Sequence, residues 1–508
     1  MHTNEIQPYV NSKERFLAKA GKFANGGLAA GAVLVLSVCL RFLYQGLSGE
    51  RQFNTPFDLV LYFGLPIGVA ALLLASLRLN SLKKLELLMV CTSLTLSMYA
   101  LELSFAFGFG SLGSVIPMMG VLQNAADKKA FASKLTKKFG NQIDIRSSGE
   151  VLDALRKSGV DAIPIMTPSN HLLMDLPDGS VKSAINIDGR EVIPLASVSN
   201  IDALLCNEDG RWIHYKSDSH GFNNPNEQWH SAGVDIVALG DSFTHGYCVP
   251  PEANFIARIR GRYPSTLNLG IAGDGPLLML AKMKEYVPAL HPKIVLWFYY
   301  EGNDLTDLQR ERKNALLTRY LEDGFTQKDL AQQSEIDRAI KSQLPTWKVR
   351  EEENRERKAS RSVRDDLREF VKLPVLRGKL GLVGGVDRNQ ILAGKDLQTA
   401  NMDVFRDTLV QAKTQADVLD TQLYFVYLPE WARYTKYRSW GKEKRDDVLK
   451  LVSGLGIRII DIDPIFEGHG DPLSLFPFRA VNHYNETGHR LVAEEVLRKI
   501  SSSAAVLN

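Results

Sequence analysis

The sequence predicts an α/β fold, a doubly wound parallel sheet preceded by three transmembrane α-helices. Three observations predict it. From residue 234 onward, short β-rich apolar runs alternate with stretches whose apolar residues recur at three- and four-residue spacing, the pattern of a parallel sheet covered by helices on both faces. Short glycine-containing turns follow the first strands of that series. Before it, the first 110 residues carry three long apolar runs.

Those runs cover 27–47, 59–77 and 87–107, interrupted only by Arg41 in the first and Glu102 in the third. Each is about 19–21 residues, the length a helix needs to cross a bilayer. Glu102 reads as a helix–helix contact rather than part of an ion path. Lys13, Arg15, Lys19 and Lys22 precede the first run, and Arg78, Lys83 and Lys84 lie between the second and third, whereas the first loop has only Arg51. Basic residues stay on the cytoplasmic side, so the expectation is a multi-pass cell-membrane protein with an inward N-terminus and an extracytoplasmic C-terminal bulk. The basic cluster Lys128, Lys129, Lys134, Lys137 and Lys138 pulls the other way, but it lies beyond the reach of that rule. The long basic tail and the long first run read as a retained anchor rather than a cleaved signal.

Three parts follow: an anchor over 1–110, a lead-in over 111–232, and the sheet domain over 233–508. In the lead-in, 150–156 reads as a short amphipathic helix and 162–166 as an apolar strand. The stretch 215–225, with His220, Gly221, Asn223 and Asn224, reads as a polar, turn-rich approach. Nothing in the lead-in resembles a catalytic constellation. In the sheet domain the expected strands are 235–239, 267–269, 294–299, 423–427 and 457–460. The expected helices are 252–262, 277–286, 401–417, 442–453 and 486–499. A charged insertion, about 304–373, breaks the alternation. Its runs 348–358 and 361–368 mix both signs and read as solvated helices, a surface excursion or a lid.

Balanced charge, 61 basic against 58 acidic residues for a net +3, gives no global field for nucleic acid. Four cysteines, none in a C-x-x-C pair, are too few for a disulfide scaffold. Cys39 and Cys91 lie in expected spans and read as packed small hydrophobes.

The chemistry sits where strands end. The first strand of the sheet runs into Gly240-Asp241-Ser242-Phe243-Thr244-His245-Gly246. Asn268-Leu269-Gly270-Ile271-Ala272-Gly273-Asp274-Gly275 follows the second, and Glu301-Gly302-Asn303-Asp304 the third. Val481-Asn482-His483-Tyr484-Asn485 precedes the last helix. A serine at a strand-to-helix turn projects its hydroxyl from the sheet edge. Acyl transfer at that serine needs a base and donors aimed at the developing oxyanion. Ser242 is the expected nucleophile and His483 the base, with the N–H groups of Ser242 and Gly273 and the Asn303 amide as donors.

With these four motifs in order, the chain resembles the GDSL-type SGNH hydrolase superfamily of esterases, lipases and carbohydrate acetyl-transferring enzymes. The resemblance covers roughly 233–500, apart from the insertion. It implies an SGNH, flavodoxin-like sheet, a Ser-bound acyl-enzyme, and Ser242, Gly273, Asn303 and His483 as the four site residues. The family places an aspartate three residues before the histidine, where this chain has Ala480. Either a Ser–His dyad suffices, or Asp471, Asp461 or Asp463 reaches the imidazole; Asp471, nearest in sequence, is the expected one.

Asp241 is expected to serve the turn or cap the following helix, and His245 and His489 to be structural. Asn303-Asp304 lacks the companions of a metal site. The run Gly270, Gly273, Gly275 lacks the lysine of a phosphate loop. No metal or cofactor is therefore expected. The expected partners are an acylated carbohydrate or other ester and the lipid bilayer, with no nucleic acid. Cys206 and Cys248 flank the first strand of the sheet, and in an oxidising compartment they are candidates for a bridge.

Overall fold

The computed structural model describes residues 6–47, 60–106, 132–133, 135–137, 140, 142–230, 233–328, 332–359, 388–435, 441–480 and 483–506. Arg51, four of the five lysines of the basic cluster (Lys137 is described), the run 361–368, and the side chains of Lys13 and Glu102 lie outside the described residues. The chain divides into two compact units, 1–109 with 362–394, and 110–361 with 395–508.

In the first unit α1 (Ile6–Leu47), α2 (Leu65–Ser76) and α3 (Ser81–Ala106) pack together. Gly21, Ala24, Leu28 and Ala32 form the buried stripe of α1. A Cβ on Gly27 would lie 2.8 Å from Leu88 of α3, so the missing side chain lets the two helices approach closely. Phe23, Val33, Leu34, Leu72, Leu94 and Leu96 point outward and are exposed. Two segments are long and apolar enough to cross a membrane, Arg15–Arg41 and Ser81–Leu101. The middle expected span, 59–77, is not among them. The middle run is helical over 12 residues, about 18 Å of rise, after a π-helical turn at Val60–Gly64.

The second unit is built on five parallel strands: β8 (Ile236–Leu239), β9 (Thr266–Asn268), β10 (Ile294–Tyr300), β11 (Gln422–Leu428) and β12 (Arg458–Asp461). Their order across the sheet is β12-β11-β10-β8-β9. Successive side chains point to opposite faces, which divides the core in two. Val295, Trp297 and Tyr299 pack on one face with Leu277 and Leu280 of a helix at Pro276–Leu290, Phe405 and Leu409 of one at Arg388–Val418, and Val448 and Val452 of one at Gly441–Gly454. Leu296 and Phe298 pack on the other with Phe255 and Ile259 of a helix at Phe255–Arg260 and Val492 and Val496 of one at Glu486–Val506. β9 lies on one side of β8 and β10 on the other. The chain therefore reverses at β8, the switch point at which such sheets open a crevice beyond their carboxyl ends.

The lead-in is folded onto this sheet. Its own small sheet, β1 (Ala162–Pro164), β6 (Asp202–Cys206) and β7 (Ile213–Lys216), pairs β1 with β6 in parallel and β6 with β7 antiparallel; two hairpins lie between, β2 (Leu173–Asp175) with β3 (Val181–Ser183) and β4 (Asn186–Ile187) with β5 (Arg190–Glu191). The polar stretch 215–225 is a buried tie rather than a loose approach. Asp218, fully buried, accepts from the backbone N–H of His220 and Phe222, from Asn224 Nδ2 and from Trp229 Nε1. Asn224 then donates to the Asn268 carbonyl of β9. The insertion likewise departs from a solvated excursion. Ile336 and Ile340, four residues apart on a helix at Gln333–Ser342, are buried against Ile163, Met166 and Val198 of the lead-in. In its later helix, Leu344–Ala359, residues 348–353 are exposed, as expected of mixed charge.

Candidate active site

Three strand ends converge. Asp241, after β8, caps the four-residue helix Ser242–His245 by accepting the Phe243 N–H at 2.9 Å. Gly246 closes that turn at φ +84°, where a Cβ would strike Asn254. Ser242 is thus held at the tip of β8 and is 7% exposed. His483, just before the last helix, lies with Nε2 2.7 Å from Ser242 Oγ. The alternative acceptor for the serine proton, Asp241 Oδ2, is 3.4 Å away, so the imidazole is the stronger partner.

The carboxylate behind His483 is Glu208. Its Oε1 is 2.9 Å from His483 Nδ1, and its Oε2 accepts the His483 backbone N–H at 3.0 Å. A carboxylate only accepts, so Nδ1 carries the proton and Nε2 is left to accept from Ser242. Burial alone would push the imidazole pKa down. The charge and hydrogen bond of Glu208, with the charge of Asp241, outweigh burial and hold it above its ordinary value.

This corrects the sequence expectation. Asp471 does not reach His483; it pairs with Arg479 at the surface, which holds its carboxyl below the usual range. Asp461 pairs with Arg445, and Asp463 with Tyr434, Arg433 and Arg445. Ala480 is fully buried. Glu208 belongs to the lead-in, 275 residues from His483. One sequence signal bore on it: Cys206, two residues earlier, is bonded to Cys248, six residues after Ser242.

The other expected residues follow the strands on either side of β8, Gly273 after β9 and Asn303 after β10. Gly273 has φ +86°, a conformation open to glycine, and a Cβ there would lie 2.8 Å from the amide of Asn170, a lead-in residue. Asn170 is carried on the turn Pro168–Leu172, which Arg310 clamps by donating to the Ser169 and Leu173 carbonyls at 2.6 and 2.9 Å. Asn303 stands at the N-terminal end of the helix Asp304–Glu311 after β10 and makes no side-chain capping bond to it. Burial pushes Asp241 up to about 6, offset in part by the Phe243 N–H and the charge of His483.

A line of buried acids fixes the loops that carry Gly273 and Asn303. Asp274 is ion-paired with Lys282, both without exposure. Glu311 accepts the N–H groups of Gly275 and Leu277 at 2.7 and 2.9 Å and so caps the helix after Gly273. Asp304 accepts the Tyr300 N–H at 3.1 Å. Burial pushes Asp274 and Asp307 up to about 7 and Glu311 to about 8. His245 accepts the Ala272 N–H at Nδ1 and meets Tyr215 Oη at Nε2; burial pushes it down to about 3, so it is a neutral tie between the lead-in and the Gly273 loop. His489 is buried and accepts the Phe255 N–H. Glu208, Cys248 and His483 are close enough to suggest a metal site, but the Cys248 sulfur is bonded to Cys206 and cannot act as a thiolate ligand.

A serine, a histidine and a glutamate in hydrogen-bonded series, beside a left-handed glycine and an asparagine amide, can perform nucleophilic acyl transfer. No family model and no curated protein matches the chain. The solved structures to which it is similar are lipolytic enzymes and esterases. A lipolytic protein of the G-D-S-L family from Desulfitobacterium hafniense DCB-2 is 15% identical, with TM-score 0.29 over 52% of this chain and 99% of that one. An acetyl xylan esterase is 11% identical, with TM-score 0.28 over 53% and 100%. The lipase/acylhydrolase from Enterococcus faecalis is 12% identical, with TM-score 0.27 over 53% and 96%. At such scores the likeness carries no weight beside the distances around Ser242.

Proposed function

We propose that the chain is a membrane-anchored serine esterase of the SGNH type. It removes or transfers acyl groups, acetyl in particular, on envelope or extracellular carbohydrate. The observation that carries this reading is the Ser242–His483–Glu208 series, at 2.7 and 2.9 Å, set beside Gly273 and Asn303. Ser242 Oγ attacks the ester carbonyl and its proton passes to His483 Nε2. The N–H groups of Ser242 and Gly273 and the Asn303 amide receive the oxyanion. The ester C–O bond breaks, His483 returns the proton to the departing alcohol, and the acyl group stays on Ser242. Water or a sugar hydroxyl then attacks that acyl-enzyme, its proton passing through His483 back to Ser242 Oγ. Glu208 holds the ring and stabilises its charged form.

The anchoring is supported by two apolar helices of spanning length with outward apolar faces. The extracytoplasmic side is supported by the Cys206–Cys248 bond, which persists in oxidising compartments. Carbohydrate follows from location, since a tethered enzyme meets polymers fixed beside the membrane. The alternative is a catalytically degenerate carbohydrate-binding or assembly module, favoured by Ala480 and the charged insertion; the Glu208 carboxylate 2.9 Å from His483 Nδ1 supports the catalytic reading instead.

Fluorophosphonate labelling of the full-length protein in detergent tests the reading. Ser242 is expected to label, with the label lost in Ser242→Ala and kept in Ser334→Ala, an exposed control. Binding of saccharide with no label at Ser242 would overturn catalysis. Acetylated oligosaccharide with and without a deacetylated acceptor then separates hydrolysis, which yields acetate in both, from transfer.

A further inference from the structure

Glu208 comes from outside the sheet. It stands two residues beyond β6, in the turn toward β7. The hydrogen bonds and ion pairs around that turn lie near the surface. Arg211, half exposed, pairs with Asp209 and with Glu486, and Asn207 donates to the Asp144 carbonyl at 2.8 Å. The exposed ion pairs among them hold geometry weakly. The covalent tie is different. Cys206 and Cys248 join the end of β6 to the segment just past the nucleophile, and Tyr247, beside Cys248, packs its ring 5.0 Å from that of His483. The shortest covalent path from acid to nucleophile therefore runs through that bond, although 42 residues separate the two cysteines; Tyr215 of β7 adds a hydrogen-bond contact to His245 at 2.9 Å.

We infer that the Cys206–Cys248 disulfide is a positioning device for the active site, holding Glu208 against His483 so that Ser242 is fully reactive only in the oxidised protein. The inference rests on the serine-esterase reading. A disulfide also stabilises a fold by restricting the unfolded chain, and that general role predicts no special link to one carboxylate. The positioning role does. Displacement of a catalytic group by about 1 Å can cost on the order of 100-fold in rate, and that loss is available only while there is a carboxylate to displace.

The test is a cycle on the full-length protein in detergent, reading the rate of fluorophosphonate labelling against pH. Cys206→Ser/Cys248→Ser is made with Glu208 intact and again with Glu208→Gln. With Glu208 intact, loss of the disulfide is expected to slow labelling at least tenfold and to move the acid limb of the pH profile downward. In the Glu208→Gln background the same loss is expected to change the rate less than twofold. Undiminished labelling without the disulfide overturns the inference, as does an equal loss in both backgrounds, which would mean that the bond serves only the fold.

If the serine variant does not fold, the folded protein is reduced in place with a phosphine. The phosphine becomes its oxide, water supplies the oxygen and its two protons, and the two sulfurs become thiols, verified by the mass added on alkylation; the same two rate comparisons then decide. Absence of any label in the oxidised protein sinks the esterase reading itself. Labelling that ignores the disulfide sinks only this inference.

Discussion

At Nε2, His483 faces a serine held by the centre of the sheet. At Nδ1 it faces a glutamate held by a turn of the lead-in. The first side is fixed many times over: β8 is fully buried, Asp241 caps the turn, and Asn254 and Asn268 both donate to the Thr244 carbonyl. The second side is partly exposed, follows an irregularity in the β6–β7 pairing, and is tied by one disulfide and surface pairs. The difference follows from the chemistry. In the proposed mechanism the nucleophile and the oxyanion donors must meet the substrate in a fixed geometry, which strand ends provide. The orienting carboxylate touches only Nδ1, so any element that reaches that nitrogen can supply it.

Breaking the first side should have the largest effect. Ser242→Ala removes the attacking atom, and ester hydrolysis should fall on the order of 10⁴-fold or more, as read by acetate release from an aryl acetate. A smaller loss would mean that the activity arises elsewhere.

Breaking the second side should cost less and leave a pH signature. Glu208→Gln is expected to lower kcat on the order of 10²–10⁴-fold. The base must be neutral to act, so in the wild type the rate falls as pH drops through a His483 pKa above about 6.5. Without the Glu208 charge that limb should move to lower pH. The sign for stability is the reverse. A raised folded pKa favours the imidazolium, so this contribution is fully present below about 6.5 and is lost as pH rises through the raised value. Glu208→Gln should therefore destabilise more at pH 5.5 than at pH 9, as measured by thermal unfolding. An unmoved acid limb would show that the 2.9 Å contact does not govern the base.

Asn303→Ala sharpens the first side from the substrate's direction. Loss of one oxyanion donor typically costs about 10²–10³-fold in kcat, with KM little changed because the donor acts on the transition state. A rise in KM alone would instead make Asn303 a ground-state contact. The predicted ratio of kcat losses, Glu208→Gln to Asn303→Ala, also compares the worth of the two sides directly.

The same contrast explains what could be read from the chain. β8 to β12 fall within a residue or two of expectation, because each is a short apolar run bounded by turns. Ser242, Gly273 and Asn303 follow strands within a few residues, so local order fixes their place. Glu208 has no such anchor. It lies in Asn207-Glu208-Asp209-Gly210, an ordinary polar turn, and reaches His483 only through tertiary folding. The insertion misled for a related reason: its charge count hid Ile336 and Ile340, two apolar residues at helical spacing that are enough to bury one face. In the first unit the apolar runs were legible, but the π-helical turn before Leu65 was not, because its residues are as apolar as those of the helix it continues into.

The smallest effect should come from the residue that sequence proximity favoured. Asp471 lies 12 positions before His483, nearer than any competing carboxylate, yet its side chain is 45% exposed and engaged with Arg479. Exposed pairs of this kind contribute little to stability, and the carboxylate plays no part in orienting the imidazole. Asp471→Asn should therefore leave kcat within twofold of wild type and the acid limb of the pH profile where it was. Arg479 lies in the short bend before His483, with φ +59°, so a modest change in KM would be compatible with a small shift of that bend. A fall in kcat comparable to that of Glu208→Gln would not be. It would mean that Asp471 exchanges with Glu208 during turnover, and the acid side of the site would then be a shared role rather than a fixed one.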